Sequence, residues 1–368
     1  MKQYVIIGNG VAAAGCIEGI RSIDSEGVIT VVSAENHAVY CRPLISYYLE
    51  GKTDLQRMQY RSADFYEKMG CQVLYGKKAV KIDSTAKTVT LDDGAAVPYD
   101  SVCVATGSSP FVPPFAGLDT VEKKFSFMTI DDTLALEAAV DNSSRVLIVG
   151  AGLIGLKCAE GLRDRVASIT VCDLADRVLS SILDTECAAV MQKHLEENGI
   201  TFMLGDSAAS FDGNTAHMKS GKTVAFDVLV LAVGVRANTS LVKDIGGEVN
   251  RGIIVNTRME TTIADVYAAG DCTEGEDISF GGRRRNCVRQ GNSYEFHWFL
   301  RFTRHDHRQL LRCRSGRRAV RRKRQWHIET AVHQKRFSDR LYPDWADRAS
   351  RNLHLFDSGT DTVAHDKL

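Results

Sequence analysis

The sequence predicts an α/β fold with parallel sheets, and three observations predict it. Short apolar runs rich in Val and Ile recur at residues 5–7, 29–33, 102–105, 146–149, 169–173 and 228–232. Helix-compatible stretches, 11–22 and 153–163, separate two pairs of these runs. At both of those strand-to-helix joints the chain carries a Gly-x-Gly turn. Continuous apolar runs suit strands buried on both faces, the usual state of a parallel sheet covered by helices. Their alternation with helices marks the α/β class.

The first joint reads Gly8-Asn9-Gly10-Val11-Ala12-Ala13, a G-x-G-x-x-A pattern after a strand and at the head of a helix. Gly8 permits a tight turn. Gly10 lets backbone approach a pyrophosphate, which is held by the free N–H groups and dipole at the helix N-terminus. Ala13 is small enough for close helix–strand packing. Glu35 follows the second strand, where a carboxylate binds the ribose hydroxyls of an adenosine half. These features predict one dinucleotide site. Next, residues 73–75, 79–83 and 88–91, with the turn Asp92-Asp93-Gly94, read as a small antiparallel excursion.

The second joint reads Gly150-Ala151-Gly152-Leu153-Ile154-Gly155, again between a strand and a helix. The strand after that helix ends in Asp173, whose carboxylate would accept a ribose 2′-OH and repel a 2′-phosphate. Arg177 argues the other way, since it can attract that phosphate. The balance favours NADH over NADPH. Two fingerprints in one chain predict two dinucleotide-binding units.

Three further segments end strands in glycine turns: Ala105-Thr106-Gly107-Ser108, Ala232-Val233-Gly234-Val235-Arg236, and Tyr267-Ala268-Ala269-Gly270-Asp271. Together with the fingerprints they resemble the FAD- and NAD(P)-dependent pyridine nucleotide-disulfide oxidoreductase superfamily, in its rubredoxin reductase, NADH oxidase and nitrite reductase flavin-domain branch. The resemblance covers residues 1 to 282. It implies two Rossmann-like (FAD/NAD(P)-binding) domains of three-layer ββα character. The FAD-binding domain would take residues 1–113 and 240–285, and the NAD(P)-binding domain 114–239. It further implies that Gly8, Gly10, Ala13 and Glu35 hold the ADP half of FAD. Ala105, Thr106 and Gly107 would close over the flavin side, with Arg42 and Pro43 near it, and Gly270 and Asp271 would meet the ribityl chain. Gly150, Gly152, Gly155, Asp173 and Gly234 would hold NAD(P)H.

Disulfide reductases of the superfamily carry a close cysteine pair beside the flavin, and this sequence has no C-x-x-C or C-x-x-x-x-C. The resemblance therefore implies hydride transfer from NAD(P)H to flavin and onward to an external acceptor: rubredoxin or another iron–sulfur protein, oxygen, or a small disulfide. The cofactor carries that chemistry; the protein sets position and electrostatics. Cys41 is a weak candidate for a redox cysteine, one place off the family's position; its plainer role is a small residue in a loop. His37, alone in this stretch, reads as structural.

Bulk properties bound the rest. Ten cysteines in 368 residues, several inside apolar runs, do not make a disulfide scaffold. No apolar run approaches the roughly 20 residues that span a bilayer, and the N-terminal apolar stretch is too short for a signal peptide. The expectation is a cytoplasmic enzyme with no membrane partner and no metal site.

The zero net charge hides an asymmetry. Residues 1–282 carry 25 Lys and Arg against 37 Asp and Glu, whereas 283–368 carry 21 against 9. All three Trp and seven of the ten His lie in that tail. Read one base out of frame, the tail changes character: Tyr294-Glu295 then permits Met or Thr, and Trp298-Phe299 requires Gly. Followed from Arg289 to Leu311, the shifted frame allows a stretch resembling the start of the family's C-terminal domain. The reading is a deletion near residues 283–286 that leaves 286–368 as an aberrant basic tail, non-native or disordered. Homodimerisation through that domain is then in doubt. The coding DNA decides, because a shifted frame unlike the family around Tyr294 defeats the idea. The competing reading is a nucleic-acid-binding tail, since Arg317-Arg318 and Arg321-Arg322-Lys323-Arg324 can neutralise phosphates. The reading carried forward has no nucleic-acid partner.

Overall fold

The computed structural model describes residues 1–275, so the tail and residues 276–285 lie outside the described residues. Strand β1 (Gln3–Ile7) leads into helix α1 (Val11–Arg21) and then strand β2 (Val28–Ser33), which pairs with β1 in parallel, Ile6 opposite Val31. After a loop comes the short helix α2 (Ile45–Leu49). Strand β3 (Cys71–Tyr75) then pairs with β2 in parallel, Val31 opposite Val73. This corrects the expectation for residues 73–75, which belong to the parallel sheet. The reason is burial on two faces: Val73 packs with the cluster under α1, and Leu74 packs into the opposite cluster. The antiparallel excursion is instead Ala79–Asp83, Thr88–Leu91 and Ala96–Pro98. Strand β4 (Ser101–Val104) returns to lie beside β1.

The second half repeats the plan. Helix α3 (Ile130–Ala139) begins with a capping box, Thr129 accepting from the Asp132 backbone while Asp132 accepts from Thr129. This satisfies two orphan amides at once. Strand β5 (Arg145–Val149), helix α4 (Leu153–Leu162) and strand β6 (Ser168–Asp173) form the second strand–helix–strand unit. Helix α5 (Thr185–Glu197), capped by Asp184, leads to strand β7 (Ile200–Leu204). Three antiparallel strands, Ala208–Asp212, Thr215–Met218 and Thr223–Ala225, precede strand β8 (Val228–Leu231). The sheet order is β7-β6-β5-β8, with Lys124–Phe125 at the edge. Strand β9 (Val266–Ala268) then rejoins the first sheet beside β4, giving β9-β4-β1-β2-β3.

Both parallel sheets are sandwiched. Ile6, Ile29, Val31 and Cys103 face α1 through Ala13, Ala14 and Ile17. On the other side of the same sheet, Val5, Ile7, Val102 and Val104 pack on Ile82, Val89 and Leu91 of the antiparallel strands. In the second half Leu147, Val149, Leu229 and Leu231 pack on Phe211, Ala216 and Met218 in the same way. Each fully buried Val, Leu or Ile contributes about 1.5–3 kcal/mol. The result is the ββα layering expected from the sequence.

In each sheet the order reverses at the central strand. Helix-linked neighbours lie on one side of β1 and of β5, and the later strand, β4 or β8, lies on the other. Ligands of open α/β sheets bind in the crevice at this switch point, beyond the carboxyl ends of the strands. Both fingerprint turns stand there.

Candidate functional site

The two fingerprint turns are built alike. Gly8 has φ +112° and Gly150 φ +118°. A β-carbon on Gly8 would lie 2.1 Å from the Ala105 carbonyl oxygen, and one on Gly150 would lie 2.3 Å from that of Ala232. Each turn is thus pressed against the glycine turn that ends the neighbouring strand. Matching backbone bonds hold each turn between its two neighbouring strands: Gly8 N–H donates to Val32 O and Ala105 N–H to Ile7 O, as Gly150 N–H donates to Cys172 O and Ala232 N–H to Val149 O. Gly10 and Gly152 are the extended N-cap residues of α1 and α4, without side-chain caps, and a β-carbon on either meets nothing within 4 Å. The first amides of both helices therefore face open space. Gly155 sits where a β-carbon would be 2.0 Å from Gly150 O; its counterpart Ala13 is fully buried, so the first turn leaves room for one methyl.

The loop after β2 gathers the first acid. Glu35 accepts from Tyr40 Oη at 2.6 Å and from Arg42 Nη2 at 2.8 Å. Arg42 Nη1 also donates to Met128 O at 2.7 Å, and Tyr40 Oη accepts from Ile130 N at 3.3 Å. Burial pushes the Tyr40 hydroxyl well above its usual range, which keeps it protonated and donating. Pro43 stands inside the 3-10 turn Arg42–Leu44, where its fixed φ suits a helical start. His37 Nε2 meets Asp131 Oδ1 at 2.7 Å, and Asn9 Nδ2 donates to the His37 carbonyl. The acid loop thus reaches from the first fingerprint to the head of α3. Cys41 heads the same turn, and burial pushes its thiol up, away from the thiolate a redox cysteine needs.

Around the first crevice, Gly270 has φ +86°, and a β-carbon there would lie 2.9 Å from Cβ of Ala12 at the head of α1. This brings exposed Asp271 beside the helix N-terminus. Thr106 Oγ1 donates to Asn238 O, Asn238 Nδ2 donates to Thr106 O, and Asn238 N–H donates to Gly107 O. Strands Ser108–Pro110 and Val235–Ala237 pair antiparallel just beyond, with Gly234 (φ +124°) before the second of them. The two crossings between the halves are therefore zipped together.

In the second crevice Asp173 accepts from Ala151 N at 2.7 Å and from Ala175 N at 2.8 Å. It holds the fingerprint turn in shape. Arg177 is drawn elsewhere, to Asp176 and to the carbonyls of Ser180 and Leu183.

The family model of pyridine nucleotide-disulphide oxidoreductases matches residues 2–291. The chain belongs to this family. Among its relatives, the nitrite reductase [NAD(P)H] of Bacillus subtilis (strain 168) is 36% identical over 285 residues, which cover 76% of this chain and 35% of that protein. The chain thus spans about a third of the length of that relative. Two solved structures are similar. The covalent putidaredoxin reductase–putidaredoxin complex has a TM-score of 0.71 at 25% identity, over 77% of this chain and 71% of that one. The water-forming NADH oxidase of Lactobacillus brevis bound to NADH has 0.69 at 25%, over 74% and 63%. An engineered NADPH oxidase derived from it, bound to NADPH, matches equally well.

The cofactors of this pyridine nucleotide-disulphide oxidoreductase family are FAD and NAD(P)H. The residues present fit them: two helix N-termini without side-chain caps, each behind a glycine with no steric neighbours, have the open amides that a pyrophosphate requires. Sequence reasoning passed over Tyr40 and Asn238. Nothing local marks a tyrosine that will bond a carboxylate five residues back, as Tyr40 bonds Glu35. Asn238 bonds across 132 residues of chain, which no local pattern reveals. Lys157 and Glu160 also escaped notice as a pair, although their i,i+3 spacing on a helix was legible. Among the described residues no helix is long and apolar enough to cross a membrane.

Proposed function

We propose that this chain is an NADH:acceptor flavoprotein oxidoreductase. FAD takes the first crevice, in the domain we assign to residues 1–113 with 240–285, and NADH takes the second, in the domain we assign to 114–239. The observation that carries the reading is the atom-level repetition of the fingerprint turn, Gly8 on Ala105 and Gly150 on Ala232, within one body. Gly8, Gly10 and Ala13 receive the FAD pyrophosphate, and Glu35, held by Tyr40 and Arg42, receives the adenosine ribose. Pro43 stiffens the turn that aims Arg42. Ala105, Thr106, Gly107, Gly270 and Asp271 line the flavin side. Gly150, Gly152 and Gly155 receive the NADH pyrophosphate, and Gly234 lies where the chain leaves that half.

Flavin supplies the hydride chemistry when bound: it accepts hydride from nicotinamide and passes electrons on. The protein's own residues position and insulate. Cys41 stays a protonated thiol and takes no part. NADH is favoured over NADPH because Asp173 places a carboxylate at the end of β6 while Arg177 is engaged away from it. The engineered NADPH oxidase supports this choice. There a glycine and an aspartate, spaced as Gly155 and Asp173 are here, both become alanine, and arginine follows the former aspartate. The onward acceptor we propose is a small iron–sulfur protein of the rubredoxin kind, with oxygen or a small disulfide as alternatives.

Purification of the full chain tests the reading. A yellow protein whose flavin absorbance bleaches under anaerobic NADH supports it. A chain that stays colourless after reconstitution with FAD overturns it. One observation favours a second reading, nucleotide binding with little turnover: the charge balance reverses beyond residue 282, where the sequence reads as an aberrant basic tail. NADH binding without flavin reduction would select that alternative.

A further inference from the structure

The turn that opens helix α1 carries one side chain, that of Asn9 between Gly8 and Gly10. Both ends of its amide are engaged. Asn9 Nδ2 donates to the His37 carbonyl at 3.1 Å, and Asn9 Oδ1 accepts from Tyr66 Oη at 2.6 Å. The Val39 N–H in turn donates to Tyr66 Oη at 3.1 Å. A phenol has one proton to give, so with Val39 on its lone pair Tyr66 keeps that proton for Asn9. The three bonds close a ring, from Asn9 to His37, along the backbone to Val39, across to Tyr66 and back.

Tyr66 comes from outside this stretch. It stands on the short helix Phe65–Lys68, 57 residues after Asn9. Its ring meets those of Phe65 and Tyr75 edge-on, with centroids 5.1 and 6.4 Å away, so the hydroxyl is aimed before any ligand arrives. Burial holds that hydroxyl above its ordinary range, and it stays a donor at neutral pH. The ring alone would fill this place in the cluster under α1. The hydroxyl does something more, because it sets the distance from the fingerprint turn to the acid loop.

Glu35 lies between two ties of that loop. Upstream, Ser33 Oγ donates to the Glu35 carbonyl at 2.7 Å. Downstream, Asn9 and Tyr66 hold His37 and Val39 to the fingerprint turn. The pyrophosphate and the adenosine ribose belong to one covalent ligand, so a site for both works only if its two parts stand at that ligand's spacing. Groups held there in advance bind more tightly than groups ordered on arrival.

We infer that Tyr66 is a positioning residue for the adenosine half of FAD: through Asn9 and Val39 it sets the carboxylate of Glu35 at the ligand's own spacing from the fingerprint turn. The inference rests on the proposed place of FAD in the first crevice. Tyr66 acts through the acid loop, without touching the cofactor.

The test is the FAD affinity of the full chain freed of flavin, read by quenching of flavin fluorescence in equilibrium titrations. Tyr66→Phe keeps the ring and deletes the hydroxyl, and binding should weaken about tenfold. Glu35→Ala weakens binding by removing the group that is aimed. In that background Tyr66→Phe should change the affinity by less than about twofold, because nothing is left to aim. A residue that merely supports the fold weakens binding by the same factor in both backgrounds. Asn9→Ala opens the ring from the other side. It should match Tyr66→Phe, and the two together should lose no more than either alone. It also carries the test should Tyr66→Phe not fold. Losses that multiply with Glu35→Ala, or an affinity that neither variant changes, overturn the inference while the flavin reading stands. A wild-type chain that holds no FAD overturns both.

Discussion

A methyl group is enough to break either cofactor turn. At Gly8 it would sit 2.1 Å from a backbone oxygen, and backbone cannot step aside as a long side chain can. The positive φ adds strain for any L-residue. Gly8→Ala and Gly150→Ala should each cost on the order of 2–4 kcal/mol, read as a lower urea midpoint, whereas Gly10→Ala and Gly152→Ala, which meet open space, should leave the midpoint nearly unchanged and weaken nucleotide binding instead. Asp173→Asn tests selectivity. Its NADH affinity should fall about tenfold, near 1.4 kcal/mol, with a smaller loss for NADPH; equal losses for both nucleotides in fluorescence titrations would place Asp173 in loop support alone. At this scale the glycines were legible because each type answers one steric demand. The partners of Glu35 and Asp173 were not, because a hydrogen bond to Arg42 or Ala151 depends on how loops fold back.

Elements were legible in proportion to their length and depth. All six central strands and both fingerprint helices follow from apolar runs and glycine punctuation. Helix α5 escaped, although Asp184 caps it and Cys187, Ala188, Met191 and Leu195 mark its buried stripe. The two- and three-residue strands have no pattern to read. One tie between elements carries a pH prediction. Arg145 bonds Asp227 through Nε, Nη2 and its backbone N–H, joining the head of β5 to that of β8. These bonds, the side-chain ones foremost, draw the Asp227 carboxyl down to about 2. Because the folded value lies below the unfolded one, the stabilisation is fully present above pH ~4 and is lost as pH falls through about 2. The pair is solvent-exposed, so its worth is at most about 1 kcal/mol. Asp227→Asn should lower the urea midpoint at neutral pH, with the gap to wild type closing in acid. A gap that persists at low pH would assign the effect to packing.

The whole molecule gains stability from whatever its folded form alone binds. FAD at about a hundred times its Kd should add about 2.7 kcal/mol. With both crevices in one body, NADH should raise the melting temperature of the FAD-loaded chain further. A thermal scan in which NADH helps only the FAD-free chain would place the two nucleotides in one crevice. Two dinucleotide units and their layering were legible at this scale because the chain repeats its own grammar.

The zipped crossing of Ser108–Pro110 on Val235–Ala237 has a consequence for how such a molecule arises and can be altered. Entry to the second half and exit from it stand side by side, fastened by Asn238. A segment whose ends already touch can be spliced into a host loop at small cost in chain entropy. The molecule is in effect a parent unit carrying a graft of its own kind. A foreign domain with neighbouring termini, set between Pro110 and Val235, should be accepted without unravelling the sheet around β1.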